Sequence, residues 1–261
     1  MKLTLSVLLT AVIGICATAS ASADDLVAQE YTISDVTEVS AGGGGIVQIV
    51  QGDSESLRVE ASPDVMKRVT VDLTKNKLSL GVKDVNGNFY HWFDRNKDPV
   101  KFFLQVKNLN SLEIMGSARA SIGKYQGEKF WLKNSGASKV TLVDLSVSDL
   151  TLESSGAAEI QILALNSQKA VMDLSGASSL SIKKSGAIQQ LTLKVSGASD
   201  YRGRSLSVAK AEVEASGASN IDIQVSESLH AIASGASNID YYGSAQVTFS
   251  ASGASHVNGH Q

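Results

Sequence analysis

The sequence predicts an all-β fold, a single-stranded parallel β-helix (solenoid) with coils of about 18–21 residues. Three observations carry this. A glycine recurs at Gly116, Gly136, Gly156, Gly176, Gly197, Gly217, Gly235 and Gly253. So regular a period is the signature of stacked repeats. Around each glycine apolar and polar residues alternate, which is strand patterning with one face in and one face out. Finally, 22 glycines against two prolines in 261 residues point to regular structure punctuated by tight turns.

Residues 1–23 read as an export signal peptide. Lys2 supplies the positive charge, and residues 3–15 form an apolar run too short to cross a bilayer comfortably. Ala19-Ser20-Ala21 and Ala21-Ser22-Ala23 then offer small-residue cleavage sites, so removal is expected after Ala21 or Ala23. Cys16, the one cysteine, lies inside this segment behind the bulky Ile15, where an acylated cysteine would follow a small residue. The mature chain is therefore expected to hold no disulfide, no thiolate and no transmembrane segment. Its expected location is the periplasm, the outer-membrane surface or the extracellular space.

Residues 24–110 read as an N-terminal β part of the solenoid. Strand-like runs fall at 46–50, 57–60, 69–73, 78–82 and 102–106. Gly42-Gly43-Gly44-Gly45 lacks the Lys-Ser/Thr ending of a phosphate loop and opens onto a strand, so it is expected to be a corner or flexible turn. The segment 84–99 breaks the alternation. After the turn signal Asn86-Gly87 it holds Phe89, Tyr90, His91, Trp92 and Phe93. Five such side chains in a row cannot all face inward from one strand. They are expected either to cap the first coil or to form a surface for glycan or protein. Asp94 to Asp98 alternates oxygen ligands, but Pro99 stands where a calcium loop needs glycine and two cations intervene, so no metal is expected there.

Residues 111–261 form the repeat region. Six corners read Ser-Gly-Ala-Ser, beginning at Ser135, Ser175, Ser196, Ser216, Ser234 and Ser252; Met115-Gly116-Ser117-Ala118 and Ser155-Gly156-Ala157-Ala158 are variants. Inward positions such as Leu150, Leu152, Met172, Leu174, Leu193, Val195, Val213, Phe249 and Ala251 precede the glycines. Val140, Leu142, Ile160, Ile162, Ile221 and Ile239 follow them. Leu145, Leu165 and Leu206 mark a second connection in the coil. Stacked about 4.8 Å apart, equivalent strands pair coil on coil, with glycine at the corner to supply a positive φ. A serine beside glycine is also found in hydrolase nucleophile elbows. Here it recurs at nearly every corner with no accompanying histidine and acid, so a structural role is expected.

The block Gly44-Gly45-Ile46-Val47-Gln48-Ile49-Val50-Gln51-Gly52-Asp53, followed by Ser-Gly-Ala-Ser corners, resembles the putative auto-transporter adhesin head GIN domain family over about residues 30–258. The resemblance implies a right-handed β-helix on an exported bacterial protein and supplies no catalytic residue. No membrane β-barrel pattern is read after the repeats, a departure from a true autotransporter, so self-secretion is not expected.

A net charge of −3 without a basic patch argues against a nucleic-acid partner. The outward column Asp200, Asn220, Asn238, His256, with Asp222 and Asp240 two places on, is expected to be a solvated acidic face; a cation site or a lyase-like acid pair is the alternative. His91, His230, His256 and His260 show no metal-ligand spacing. The expected function is a non-enzymatic binding, adhesion or structural module, with a cell-surface glycan or envelope protein as partner and no cofactor. The alternatives are a carbohydrate-active β-helix enzyme (polysaccharide lyase or hydrolase) and an envelope biogenesis or stress factor without a ligand of its own.

Overall fold

The computed structural model describes residues 26–83 and 99–260, which form one parallel β-solenoid of about 8 turns. The strands are β1 (Val27–Tyr31), β2 (Glu38–Ala41), β3 (Ile46–Gln51) and β4 (Ser56–Ala61), then a one-turn helix α1 (Pro63–Met66). There follow β5 (Val69–Thr74), β6 (Lys77–Val82), β7 (Lys101–Val106) and β8 (Ser111–Ile114). The repeats supply β9 (Arg119–Asn134), β10 (Lys139–Ser154), β11 (Glu159–Leu174), β12 (Ser179–Ile182), β13 (Ala187–Val195) and β14 (Asp200–Ala215). The last are β15 (Asn220–Ala233), β16 (Asn238–Tyr242), β17 (Gln246–Ala251) and β18 (His256–His260).

Pairing follows the repeat. Val140 faces Ala120 below and Ile160 above, and Leu152 lies between Leu132 and Met172, all in parallel register. The apolar half of each alternation fills the core, where Leu142, Leu152, Ile162, Met172 and Leu193 are buried. β9, β10, β11 and β14 each run without a break from one corner to the next. β10, β11 and β14 pass through the second connection as strand because Leu145, Leu165 and Leu206 also point inward and are buried.

Each of the eight repeat glycines has φ between 74° and 83°. The following alanine donates its N–H to the carbonyl of the glycine one coil below: Ala137 to Gly116, Ala198 to Gly176 and Ala218 to Gly197, each at 2.7 Å. Successive corners are so close that a Cβ on Gly197 would lie 2.4 Å from the Gly176 carbonyl oxygen. In five of the six motifs the second serine is buried, and it closes the corner locally. Its hydroxyl donates to the carbonyl of the first serine, at 2.8 Å for Ser138, 2.9 Å for Ser178 and 2.6 Å for Ser219.

The N-terminal third does not stack in chain order. β2 pairs with both β6 and β8, and β3 with both β7 and β9. The coil β2–β3 therefore lies between the coils of β6–β7 and β8–β9. Gly43, at φ 87°, is the first corner of the glycine ladder: its carbonyl accepts the Ser117 N–H at 2.8 Å. The outermost coil is finished by antiparallel strands, β5 on β6 and β4 on β7, with β1 outside β4. A parallel ladder here gives way to strands that can be supplied by short local connections. The four glycines thus form a corner, as expected. Residues Phe89 to Phe93, the expected cap or recognition segment, lie outside the described residues, as do Asp94–Asp98 and the export signal.

The shorter coils that end at Gly235 and Gly253 are accommodated away from the corners. Where β14 meets β15 the register shifts between Gly203/Ser207 and Val208/Lys210. The strands on either side stay in step.

Candidate binding surface

The second serines of the repeat serve the corner structure. Ser138, Ser178, Ser199, Ser219 and Ser237 are buried, and the described partners of the second serines are largely backbone carbonyls. The corner glycines form one structural column. Among the described residues, no group of three or more His, Cys, Asp or Glu could hold a metal ion. None of the described helices is long and apolar enough to cross a membrane.

The outward acidic column is brought together as its spacing suggests. Asp200, Asn220, Asn238 and His256 stand in register, with Asp222, Asp240 and Asn258 alongside. Two of its three carboxylates, Asp200 and Asp240, are held by neighbours. Asp200 accepts from Arg202 at 2.8 Å and Asn220 at 3.0 Å. Asp240 accepts from Asn238 at 2.6 Å and Asn258 at 3.2 Å, and its Oδ1 lies 2.8 Å from His260 Nε2. Burial alone would raise the Asp240 carboxyl, but the hydrogen bonds from His260, Asn258 and Asn238 and the imidazole charge outweigh it, holding the group below its ordinary value. At the column's edge the Arg204 guanidinium lies 3.9 Å from the Tyr242 ring centre, and Tyr242 stacks on His260 at 4.8 Å.

The opposite, pre-corner face carries a different arrangement. Some of its outward charges pair between coils: Lys133 and Lys77 both reach Glu113, at 3.7 and 3.6 Å, and Lys194 reaches Glu214 at 3.1 Å. Trp131 interrupts this pattern. Its register neighbours are small, Ser111 below and Thr151 above, and its side chain stands 41% exposed. Beside it opens a shallow cleft of about 390 Å³ lined by Asn110, Glu128, Lys129, Asp149 and Thr151. Lys129 and Asp149 are register neighbours of opposite charge. The side chains of Asn110, Glu128, Lys129 and Asp149 have no partner among the described residues. A flat aromatic surface is thus ringed by two carboxylates, an ammonium and an amide with no partner among the described residues. Sequence reasoning missed this cleft because Trp131 falls at an ordinary outward position of the repeat.

A solenoid with structural corners and polar outward ladders is a scaffold that displays surface, and the relatives have the same architecture. The chain belongs to the family described as putative auto-transporter adhesin, head GIN domain, which it matches over residues 35–245. The crystal structure of a putative adhesin from Parabacteroides merdae is 18% identical, with a TM-score of 0.79 over 91% of this chain and 97% of that one. A putative adhesin from Parabacteroides distasonis is 20% identical, with a TM-score of 0.77 over 91% and 98%. A putative lipid binding protein from the same species is 19% identical, with a TM-score of 0.75 over the same shares. These likenesses establish the fold. No curated protein matches the chain.

Proposed function

We propose that this chain is an exported, non-enzymatic binding module of the bacterial envelope, and that the cleft beside Trp131 takes a saccharide. The observation that carries the reading is the exposed indole of Trp131 among polar side chains with no partner of their own among the described residues. A pyranose presents an apolar C–H face and a rim of hydroxyls. The first packs on an indole, and the second exchange hydrogen bonds with carboxylate, amide and ammonium groups. The cleft is open and leaves Glu128 and Asp149 exposed. Cleavage of a glycosidic bond draws on excluded water and on carboxyl groups in contrasting environments, so binding without turnover fits better. Membership of an adhesin-like family supports the same class of function.

The test is a glycan array followed by titration of any retained saccharide. Trp131→Ala should weaken binding by at least about tenfold, as removal of an aromatic anchor does, while Trp131→Phe should retain part of it. Far-UV circular dichroism should be unchanged in both. Equal binding by wild type and Trp131→Ala, or retention of no saccharide at all, would overturn the reading.

A further inference from the structure

The two ends of the solenoid are finished differently. At the N-terminal end β1 and β5 run antiparallel to the strands they cover, and they carry the exposed acids Glu30 and Asp72. The C-terminal end has no such cover among the described residues. There β17 pairs only with β15, and β18 only with β16. Each therefore presents a row of backbone donors and acceptors with no described partner.

The core is open there too. Phe249 lies in register over Ala231, and Ala251 over Ala233. Ala231 and Ala233 are buried, whereas Phe249 is 58% exposed and Ala251 is exposed. Val247, Val257 and Tyr241 are only partly buried. Edge strands of soluble proteins are usually blunted by lysine, by inward-pointing charge or by proline. The segment from Tyr241 to His260 includes no Asp, Glu, Lys, Arg or Pro.

We propose that this end is an interface with a second copy of the same chain, the two solenoids joined C-terminal end to C-terminal end. A two-fold axis perpendicular to the solenoid axis sets the two end coils face to face and makes their edge strands antiparallel, which permits continued main-chain pairing. The occupant has the same cross-section, so the open core positions around Phe249 meet their equivalents. Neither edge carries an Asp, Glu, Lys or Arg to repel its copy. The length of this last coil suits the roughly 20–30 residues a side of a standard interface. The covered N-terminal end makes the contact isologous, so the assembly closes at two copies instead of growing into a filament.

Sedimentation velocity of the secreted chain should give twice the monomer mass. Phe249→Lys, which alters an exposed position, should dissociate the dimer at least tenfold more readily with unchanged circular dichroism. Asp72→Lys at the opposite end should leave the mass unchanged. Hydrogen exchange of wild type needs no variant to fold: amides of residues 246–260 should gain protection as protein concentration rises. A monomer at all concentrations, a filament, a dimer broken by Asp72→Lys but not by Phe249→Lys, or concentration-independent exchange in β17 and β18 would each overturn the proposal.

Discussion

Gly197→Ala should destabilise the solenoid much more than Gly116→Ala, although the two glycines share nearly the same backbone conformation. Their φ values are 77° and 74°. An L-residue in that region costs about 1–2 kcal/mol at either site. Alanine also reduces the freedom of the unfolded chain by a few tenths to about 1 kcal/mol, again equally at both, so these contributions cancel in the comparison. What differs is the corner below. A Cβ on Gly116 would lie 3.2 Å from the nitrogen and oxygen of Gly43, which a displacement of a few tenths of an ångström relieves. A Cβ on Gly197 would lie 2.4 Å from the Gly176 carbonyl oxygen, which is backbone and is already bonded to the Ala198 N–H at 2.7 Å. Separating those corners stretches that bond and strains the packed coils beside it, adding about 1–3 kcal/mol. The expected totals are about 0–2 kcal/mol for Gly116→Ala and about 1–5 kcal/mol for Gly197→Ala, a difference of about 1–3 kcal/mol set by the corner below. Urea unfolding followed by far-UV circular dichroism measures both. Hydrogen exchange in the flanking coils shows whether the loss is local, as it can be in a repeat protein. Gly235→Ala, at 2.8 Å, should fall between them. Midpoints for Gly116 and Gly197 variants that coincide would refute the claim that close corner stacking, beyond positive φ, requires glycine.

The buried tyrosines give an opposed pair. Tyr125 accepts the Leu109 N–H and donates to the Leu109 carbonyl, both at 2.8 Å, so Tyr125→Phe should cost about 1–3 kcal/mol by orphaning a buried peptide. The Tyr201 hydroxyl is buried without a partner among the described residues, and burial pushes its pKa well above the ordinary tyrosine value. Tyr201→Phe should be neutral or stabilising in the same urea assay. Asp240 supplies a pH test. Its folded-state carboxyl is depressed, so its contribution is present above the unfolded value of about 4 and is lost as pH falls through the lower folded value. In His260→Ala, carboxyl-carbon NMR should show Asp240 titrating at higher pH than in wild type; an unmoved titration would count against the His260 contact.

The corner glycines were legible in the sequence because their constraint is local. Positive φ and a missing Cβ leave the same mark at every turn of the repeat, and the period-two alternation then assigns each flanking residue to a face. Gly43 belongs to the same ladder, yet the gap from Gly43 to Gly116 is several times the repeat. Only the pairing of β2 with β6 and β8 reveals that the chain starts inside the stack, descends to finish its end and climbs past itself. The tyrosines were half legible. A Cβ on Gly127 would meet the Tyr125 hydroxyl at 2.9 Å, and one on Gly203 the Tyr201 hydroxyl at 2.4 Å, so each Tyr-x-Gly step is a signal that the glycine makes room for an inward ring. Whether that ring finds a partner depends on the coil below. The Trp131 cleft depends in the same way on Ser111 and Thr151, each one coil distant, being small. Phe249 marks the limit most clearly. Alternation assigns its face, as it does for Ala231 one coil earlier, but burial is set by what lies above, and only the stack places Phe249 in the last coil. Local chemistry determines which way a side chain points; its neighbours across coils, far away in sequence, decide whether it becomes core, site or open edge.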